Sequence, residues 1–337
     1  MIFPKPAHYW RVFIIISAPF IHTKDEEGSP KMIKAVILSA VLTLLPASHH
    51  TLFIESDGQL ITVIHRENIT LLPVPGSAFP DPNKVSNLLD SLEKEVDAPP
   101  ENAKIDGSGT IVPEKAGSKL DREKMEEILY SFIYSGKPLR TEIPTKTIYP
   151  DVDSELLDHI RTRLIGRYRT FYNGGNKERA HNIKLATETL NGKVVFPGET
   201  FSFNKAIGKR TAERGYMKAP VIVRGELSEG IGGGICQVSS TLFNAADNAG
   251  MSIIQRYSHT KAVTYVPSGR DATVSWYGPD FVFKNPYSQP VLIRANAYGS
   301  TLSVTMYSAP NIAFKPRSIP GAPAILPEET TFKNSGR

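Results

Sequence analysis

The 337-residue sequence contains a single cysteine, Cys236, and only eight histidines, which are scattered. One cysteine excludes an internal disulfide framework and a zinc site built from several thiolates. No H-E-x-x-H motif occurs, so we expect no metal and no cofactor. The glycine-rich stretches also lack the G-x-x-x-x-G-K-[ST] spacing of a P-loop, which argues against nucleotide hydrolysis.

Long apolar runs are also missing, but two short ones, Tyr9–Phe20 and Ala35–Leu45, lie near the N-terminus. The second run follows two lysines and precedes small residues, which is the layout of a secretory signal. It is too short for a comfortable membrane span, which needs roughly 17–25 residues. We therefore expect residues 1–48 to be a leader, with Met32 as an alternative start. The protein would then be secreted or attached to the cell surface or wall, and would meet the membrane only through an uncleaved leader.

Charge is concentrated in one part of the chain. The whole sequence carries a net charge of +5, whereas Ile160–Gly225 has 14 basic and 4 acidic side chains, a surplus of ten. Such a surface suits an anionic partner. Because an exported protein does not meet nucleic acid, the expected partner is peptidoglycan or an anionic wall polymer.

The pattern of apolar residues and turns predicts an α+β fold in several parts. Residues 49–96 read as a hairpin followed by a helix capped by Asp81. Residues 97–150 form a small α+β module, and residues 151–309 form a domain of mixed helices and a mainly antiparallel sheet. The proline-rich stretch 310–337 is expected to be a flexible tail.

Two details of the large domain can be tested directly. Its first helix is expected to be capped by Ser154 and closed by Gly166. Its last part, from Phe281 to Met306, is expected to be one closing hairpin with turns at Asn285 and Gly299.

Two segments resemble known families. The order A-x-I, G, I-x-P-E, G, L-D, amphipathic helix and I-P within Asp97–Thr147 resembles the peptidoglycan-binding module that precedes some wall-modifying domains. The block Arg167–Tyr307 holds G-G-G-I-C-Q-V-S-S-T-L, R-Y-S-H and Y-V-P-S-G-R-D-A-T-V, and it resembles the VanW family. That family is named after an accessory protein of glycopeptide-resistance gene clusters. The resemblance implies an exported Gram-positive protein in a cell-wall context, without a defined activity.

Cys236 stands where the glycine-rich loop meets a predicted helix that ends near Gly250. A helix N-terminus favours the thiolate, and backbone N–H groups of the loop could stabilise an oxyanion. A nucleophilic cysteine needs a base and a residue that orients it, for which His259 and Asp271 are the candidates. The expected ligand-binding residues are Gly232, Gly233, Gly234, Gln237, Ser239, Ser240, Arg210, Arg256 and Arg270.

Three hypotheses stay open at this point. The chain is an enzyme that uses Cys236 in acyl or amide transfer or hydrolysis on wall material, or it is a non-catalytic wall-binding accessory protein in which Cys236 is packing. The third is a glycan-cleaving enzyme with two carboxylates chosen from Glu199, Glu226, Glu229, Asp271 and Asp280. The first two are distinguished by whether the Cys236 sulfur and the His259 ring share one open cleft.

Overall fold

A computed structural model describes residues 50–71, 78–223 and 226–324, and leaves the side chains of 222–227 undescribed. Residues 1–49, which include the predicted leader, and residues 72–77 and 325–337 lie outside the described part. No helix within the described ranges is long and apolar enough to cross a membrane.

The described chain contains both helices and strands throughout its length. Between residues 50 and 150 they are β1 (Thr51–Ser56), β2 (Gln59–His65), α1 (Pro82–Val96), β3 (Lys104–Ile105), β4 (Ile111–Val112), β5 (Gly117–Leu120), α2 (Arg122–Ser135), β6 (Leu139–Glu142) and β7 (Thr145–Ile148). From residue 151 onward they are α3 (Ser154–Ile160), β8 (Arg163–Phe171), α4 (Lys177–Leu190), β9 (Val194–Val195), β10 (Thr200–Ser202), α5 (Phe203–Ile207), β11 (Lys218–Val223), β12 (Glu226–Ile231), α6 (Ile235–Asn248), β13 (Ser252–Gln255), β14 (Val282–Lys284), β15 (Val291–Tyr298) and β16 (Thr301–Ser308). The strand pairs are antiparallel, so the predicted α+β class with a mainly antiparallel sheet is confirmed.

Two compact units are formed. One contains the described residues up to Pro80 together with Ser131–Thr141, and the other contains Asp81–Tyr130 and the described residues from Glu142 on. The first unit holds the predicted hairpin of β1 and β2, whose turn residues Asp57 and Gly58 both have positive φ, as a tight two-residue hairpin turn requires. Strand β6 extends this sheet on the β1 side.

Helix α1 begins as its sequence predicts. The Asp81 carboxylate accepts hydrogen bonds from the backbone N–H groups of Asn83 and Lys84, and Pro82 occupies the first turn, where no N–H is needed. Val85 and Leu89 are buried at helical spacing. The cap and the apolar stripe together fix where this helix starts and which side faces the protein.

The main sheet of the second unit has the strand order β8-β16-β15-β9. In β16, Leu302, Val304 and Met306 are completely buried and alternate with partly exposed residues, so the predicted hairpin of β15 and β16 is confirmed. The prediction that β14 belongs to the same hairpin is wrong, because β14 pairs with β10 and β13 in a separate sheet. The side-chain amide of Asn285 donates to the carbonyl groups of Val195 and Gln289, and it directs the chain from one sheet into the other.

Helix α6 packs against this main sheet at very short range. Gly166 lies inside β8, where a Cβ atom would stand 2.5 Å from Ala249 Cβ and 2.6 Å from the Ala245 carbonyl oxygen. The prediction that Gly166 closes the preceding helix is therefore wrong: α3 ends at Ile160, and the glycine is needed for close contact with α6. The prediction that Ser154 caps α3 is also wrong, because the Asp153 carboxylate accepts from the Leu156 N–H and is the cap. A buried hydrogen bond between the Thr170 and Thr241 hydroxyls joins the same two elements.

Residues 310–324 have no regular secondary structure, but part of this segment packs on the core. Ile312 is buried, and Phe314 and Ile319 lie against the main apolar cluster. The Arg317 guanidinium donates to the Asp247 carboxylate at the end of α6.

Candidate active site

The glycine-rich loop before α6 is shaped by contacts within the protein. Gly232 and Gly234 have φ values of 88° and 102°, which favour glycine, and Gly234 is the residue that caps α6. A Cβ atom on Gly233 would lie 2.6 Å from the Pro220 carbonyl oxygen, so this glycine allows the loop to touch β11. The backbone N–H groups of Ile235 and Gln237 donate to carbonyl groups of the same loop. The three glycines are thus required by the shape of the loop and by its contact with β11.

Cys236 occupies the first turn of α6 and is partly exposed. Its sulfur lies 3.7 Å from the Thr273 hydroxyl and 3.6 Å from the Val274 carbonyl oxygen. Burial alone would raise the pKa of this thiol, but hydrogen bonding and charge attraction with His259 outweigh burial and lower it. The thiolate is therefore favoured at this position.

His259 and Asp271 form the other half of the site. The Asp271 carboxylate accepts hydrogen bonds from the His259 backbone N–H at 2.6 Å and from Nδ1 of its ring at 2.7 Å. Both side chains are less than a tenth exposed. Burial alone would lower the pKa of His259, but contacts first with Cys236 and then with Asp271 raise it. Burial would likewise raise the pKa of Asp271, and hydrogen bonds from His259 lower it.

The structure thus brings the three predicted catalytic residues together. Since Nδ1 of His259 is bonded to Asp271, the opposite ring nitrogen, Nε2, is left for the thiol. A thiolate, an imidazolium and a carboxylate in series are the arrangement by which a cysteine nucleophile is activated and its base oriented.

Two arginines predicted to bind ligand, Arg256 and Arg270, make contacts that hold the site loop. One Nη atom of Arg256 donates to the Asp271 carbonyl oxygen at 2.6 Å and to that of Gly269 at 3.2 Å. Arg270 donates to the side chains of Asn244 and Asp247 on α6. Both guanidinium groups also lie within about 5 Å of the Phe243 ring centre. These contacts fasten the segment that carries Asp271 to the helix that carries Cys236.

The serines and the glutamine of α6 also face inward. The Ser240 hydroxyl donates to the Cys236 carbonyl oxygen and accepts from the Ala272 N–H. Gln237 is almost fully buried, where it donates to Thr170 and Phe171 and accepts from Arg179. Ser239 is completely buried, and its hydroxyl has no hydrogen-bond partner within the described part of the chain. None of the three is among the residues that line the adjoining cleft.

An open cleft of about 500 Å³ lies beside the catalytic residues. It is lined by Tyr257, Ser258, His259, Thr260, Thr273, Gly278 and Pro279. Thr273 contacts the Cys236 sulfur, so the cleft reaches His259 and the immediate neighbour of the thiol. Two exposed aromatic side chains, Trp276 and Tyr277, directly precede the cleft residue Gly278.

Sequence reasoning missed this side of the site. The cleft residues Thr273, Gly278 and Pro279 and the exposed aromatics belong to a loop that has no periodic pattern. The S-W-Y-G-P run, Ser275–Pro279, was the available signal, because two large aromatics beside a glycine and a proline indicate an exposed turn. Tyr265 was also missed: its burial raises its pKa, and the nearby Cys236 adds to that rise.

Three of the carboxylates considered for glycan cleavage, Asp271, Asp280 and Glu199, are bonded within the protein. Asp271 is bonded to His259, and Asp280 accepts from the Ser202 hydroxyl and the Asn204 N–H. Glu199 accepts from the Phe196 N–H. Glu229 is exposed on β12, and the Glu226 side chain lies outside the described residues.

Two family models match the chain. Residues 178–307, which include Cys236, His259 and Asp271, match the family described as "VanW like protein". Residues 74–142 match the family described as "Putative peptidoglycan binding domain". These matches confirm both resemblances seen in the sequence and support a role associated with the cell wall.

Two curated proteins are similar to the chain, whereas no solved structure matches it. The "Uncharacterized protein YoaR" of Bacillus subtilis is 48% identical over 299 residues, which cover 88% of this chain and 98% of that protein. The "Vancomycin B-type resistance protein VanW" of Enterococcus faecalis is 36% identical over 104 residues, which cover 29% of this chain and 38% of that protein. With a near full-length relative and both family matches, this chain belongs to the VanW family.

Proposed function

We propose that this chain is an exported cell-envelope enzyme of Gram-positive bacteria that uses Cys236 for acyl or amide transfer on the peptide part of peptidoglycan. The observation that carries this proposal is the contact series Cys236–His259–Asp271 beside an open cleft. The match to the peptidoglycan-binding family supports the substrate class.

The roles follow from the geometry. The Cys236 thiolate attacks an amide carbonyl carbon, and the C–N bond breaks as the imidazolium of His259 gives a proton to the leaving amine. The product of this step is a thioester on Cys236. An incoming amine or water then attacks that thioester and gives its proton to the now neutral His259, the C–S bond breaks, and the thiolate–imidazolium pair is restored. Asp271 holds the ring by its Nδ1 proton and stabilises the imidazolium.

The pH dependence of alkylation tests the nucleophile. Because Cys236 is the single cysteine, every label reports on this thiol. The pKa of Cys236 is lowered and that of His259 is raised, and both shifts favour the thiolate–imidazolium pair over the neutral pair. Iodoacetamide should therefore react rapidly near pH 6, where an ordinary thiol with a pKa of about 8.5 is almost fully protonated.

Matched variants sharpen this test. His259→Ala should slow alkylation near pH 6, and Asp271→Asn should slow it less, because Asp271 acts through the ring. Protein unfolded in denaturant gives the reference rate of an unperturbed thiol. A folded-state rate that follows a pKa of 8.5 or higher, or labelling seen only after unfolding, would remove Cys236 as a nucleophile.

The second candidate is a non-catalytic wall-binding protein, which the basic surplus of Ile160–Gly225 and the peptidoglycan-binding match favour. Binding to purified sacculi should then weaken as salt rises, because exposed charges are screened over about 8 Å at physiological ionic strength. A Cys236→Ser variant that binds as the wild type does, together with a slow thiol, would support this function over catalysis. Retention that does not respond to salt would contradict its electrostatic part.

A further inference from the structure

Arg210 is a partly buried cation that forms no ion pair within 4 Å in the described part of the chain. One of its Nη atoms donates to the Asn204 side-chain oxygen at 2.8 Å and to the Gly208 carbonyl oxygen at 3.2 Å. Both acceptors are neutral. Among the residues that the structure describes, no carboxylate forms an ion pair with it, whereas Arg270 is paired with Asp247. Burial lowers the pKa of Arg210, as expected for a positive charge withdrawn from water.

The Arg210 side chain lies beside the glycine loop and is connected to the cleft through Asn204. A Cβ atom on Gly232 would be 3.1 Å from Arg210 Cβ, so the arginine lies against the loop that leads to Cys236. On its other side, Asn204 donates to the carbonyl groups of Ser275 and Pro279, and Pro279 lines the cleft. Its charge is also close enough to interact with Cys236.

Neighbouring cations strengthen the positive potential at this edge. Lys209 lies over the exposed Tyr277 ring, and Arg214 donates to the Lys209 carbonyl oxygen. The charges of Cys236, Tyr216 and Asp280 act favourably on that of Arg210, and the charge of Arg214 acts unfavourably. A buried cation that lacks a direct ion pair costs free energy, and an anionic group bonded directly to it would recover part of that cost.

We propose that Arg210 is the binding residue for a substrate carboxylate that lies next to the carbonyl attacked by Cys236. The substrate class would then be a peptide with a free carboxylate close to the scissile bond, gripped by the planar guanidinium. This inference rests on the proposed function, because it assigns specificity to the same site.

Two alkylating reagents that differ in one group provide the test. Iodoacetate carries a carboxylate next to the reacting carbon and iodoacetamide a neutral amide, and each releases iodide as it forms an S–C bond with Cys236. The rate ratio of iodoacetate to iodoacetamide is measured for the folded full chain and divided by the same ratio for free cysteine. The wild type should give a normalised ratio of about ten, the factor that one charge-assisted hydrogen bond contributes.

Three variants complete the experiment. Arg210→Gln should bring the normalised ratio back to about one, whereas Arg210→Lys should keep part of it, since charge remains but the planar fork is lost. Arg169→Gln removes an exposed arginine of β8 and should leave the ratio unchanged. Circular dichroism checks that each variant is folded. If Arg210→Gln does not fold, the carboxylate site is still tested by the wild-type ratio and by whether Arg210→Lys lowers it.

The outcomes separate this inference from the proposed function. Two results would overturn the carboxylate site and leave Cys236 as a nucleophile. One is a wild-type ratio equal to that of free cysteine. The other is an Arg210→Gln variant in which the iodoacetate and iodoacetamide rates fall by the same factor. In the second case, Arg210 would only stabilise the thiolate. No labelling of the folded chain by either reagent would overturn both.

Discussion

Residues 81–150 and the surroundings of helix α6 use charged side chains in different ways. In the first region, Lys115 and Glu101 form an ion pair, and their side chains are 73% and 54% exposed, respectively. Around α6, the side chains of Arg270 and Asp247 are 19% and 14% exposed. Those of His259 and Asp271 are 6% and 9% exposed. Exposed pairs contribute about 0–1 kcal/mol, whereas removing one partner of a buried pair costs roughly 3–5 kcal/mol.

The difference shows where the chain can vary. Surface charges between residues 81 and 150 can change with little effect on folding, which suits a region that meets a polymer. The polar groups around α6 fix the positions of Cys236 and Asp271, so changes there should alter both stability and reactivity.

The largest expected effect separates the two regions by function. Cys236→Ser should lower acyl transfer by at least about 10⁴-fold, since removal of one member of such a triad costs nearly as much as removal of all. Binding to sacculi should be unchanged, because the residues matched to the peptidoglycan-binding family are untouched. Turnover of a peptide substrate and retention on sacculi are measured on one preparation. Equal loss of both would show that the two regions do not act separately.

A pair of glycines tests the difference in packing. Gly233→Ala places a methyl group 2.6–2.7 Å from backbone atoms of Pro220 and Ala219, so we expect a loss of about 1–3 kcal/mol in the free energy of unfolding. Gly107→Ala, in the turn between β3 and β4, meets no atom within 4 Å and should change it by less than about 0.5 kcal/mol. Denaturant unfolding of both variants provides the comparison. Similar losses of stability in both variants would contradict the expected difference in packing between the two regions.

Two serines make the same comparison for hydrogen bonds. Ser240→Ala removes the buried hydroxyl that joins Cys236 to Ala272 and leaves a buried N–H without its acceptor, which costs about 1–3 kcal/mol. Ser108→Ala removes a hydroxyl from an exposed turn, where water replaces it, and should cost less than about 0.5 kcal/mol. Thermal melts measure both. If Ser240→Ala alters neither stability nor alkylation of Cys236, the hydrogen bonds of Ser240 to Cys236 and Ala272 do not hold the site in place.

The smallest effect is expected for the exposed ion pair. Lys115→Ala should change the free energy of unfolding by at most about 0.5 kcal/mol, because solvent screens the charge of Glu101. Urea unfolding of variant and wild type should give the same small difference in the free energy of unfolding at low and at high salt. A loss above 1 kcal/mol would show that this region depends on its surface charges after all.

The sequence was most informative where chemistry and local pattern coincide. The thiol at a helix start, the histidine and the aspartate were all identified by residue type, and the structure brings them together. The roles of Arg256 and Arg270 were not predictable, because their acceptors on the site loop and on α6 are set by tertiary packing. Gly166 was misread for the same reason: a glycine needed for strand–helix contact looks like a helix stop when its distant partner is unknown.

Asp247 has a consequence for how the domain can be isolated. Its carboxylate binds Arg270, which anchors the site loop, and also Arg317, which lies ten residues beyond the end of the family match at residue 307. The buried Ile312 lies in the same stretch. A minimal recombinant fragment cut at the family boundary would expose core surface and leave Asp247 with one of its two cations. The smallest fragment suitable for enzymology therefore extends to at least residue 322, where Ala322 still packs on the core.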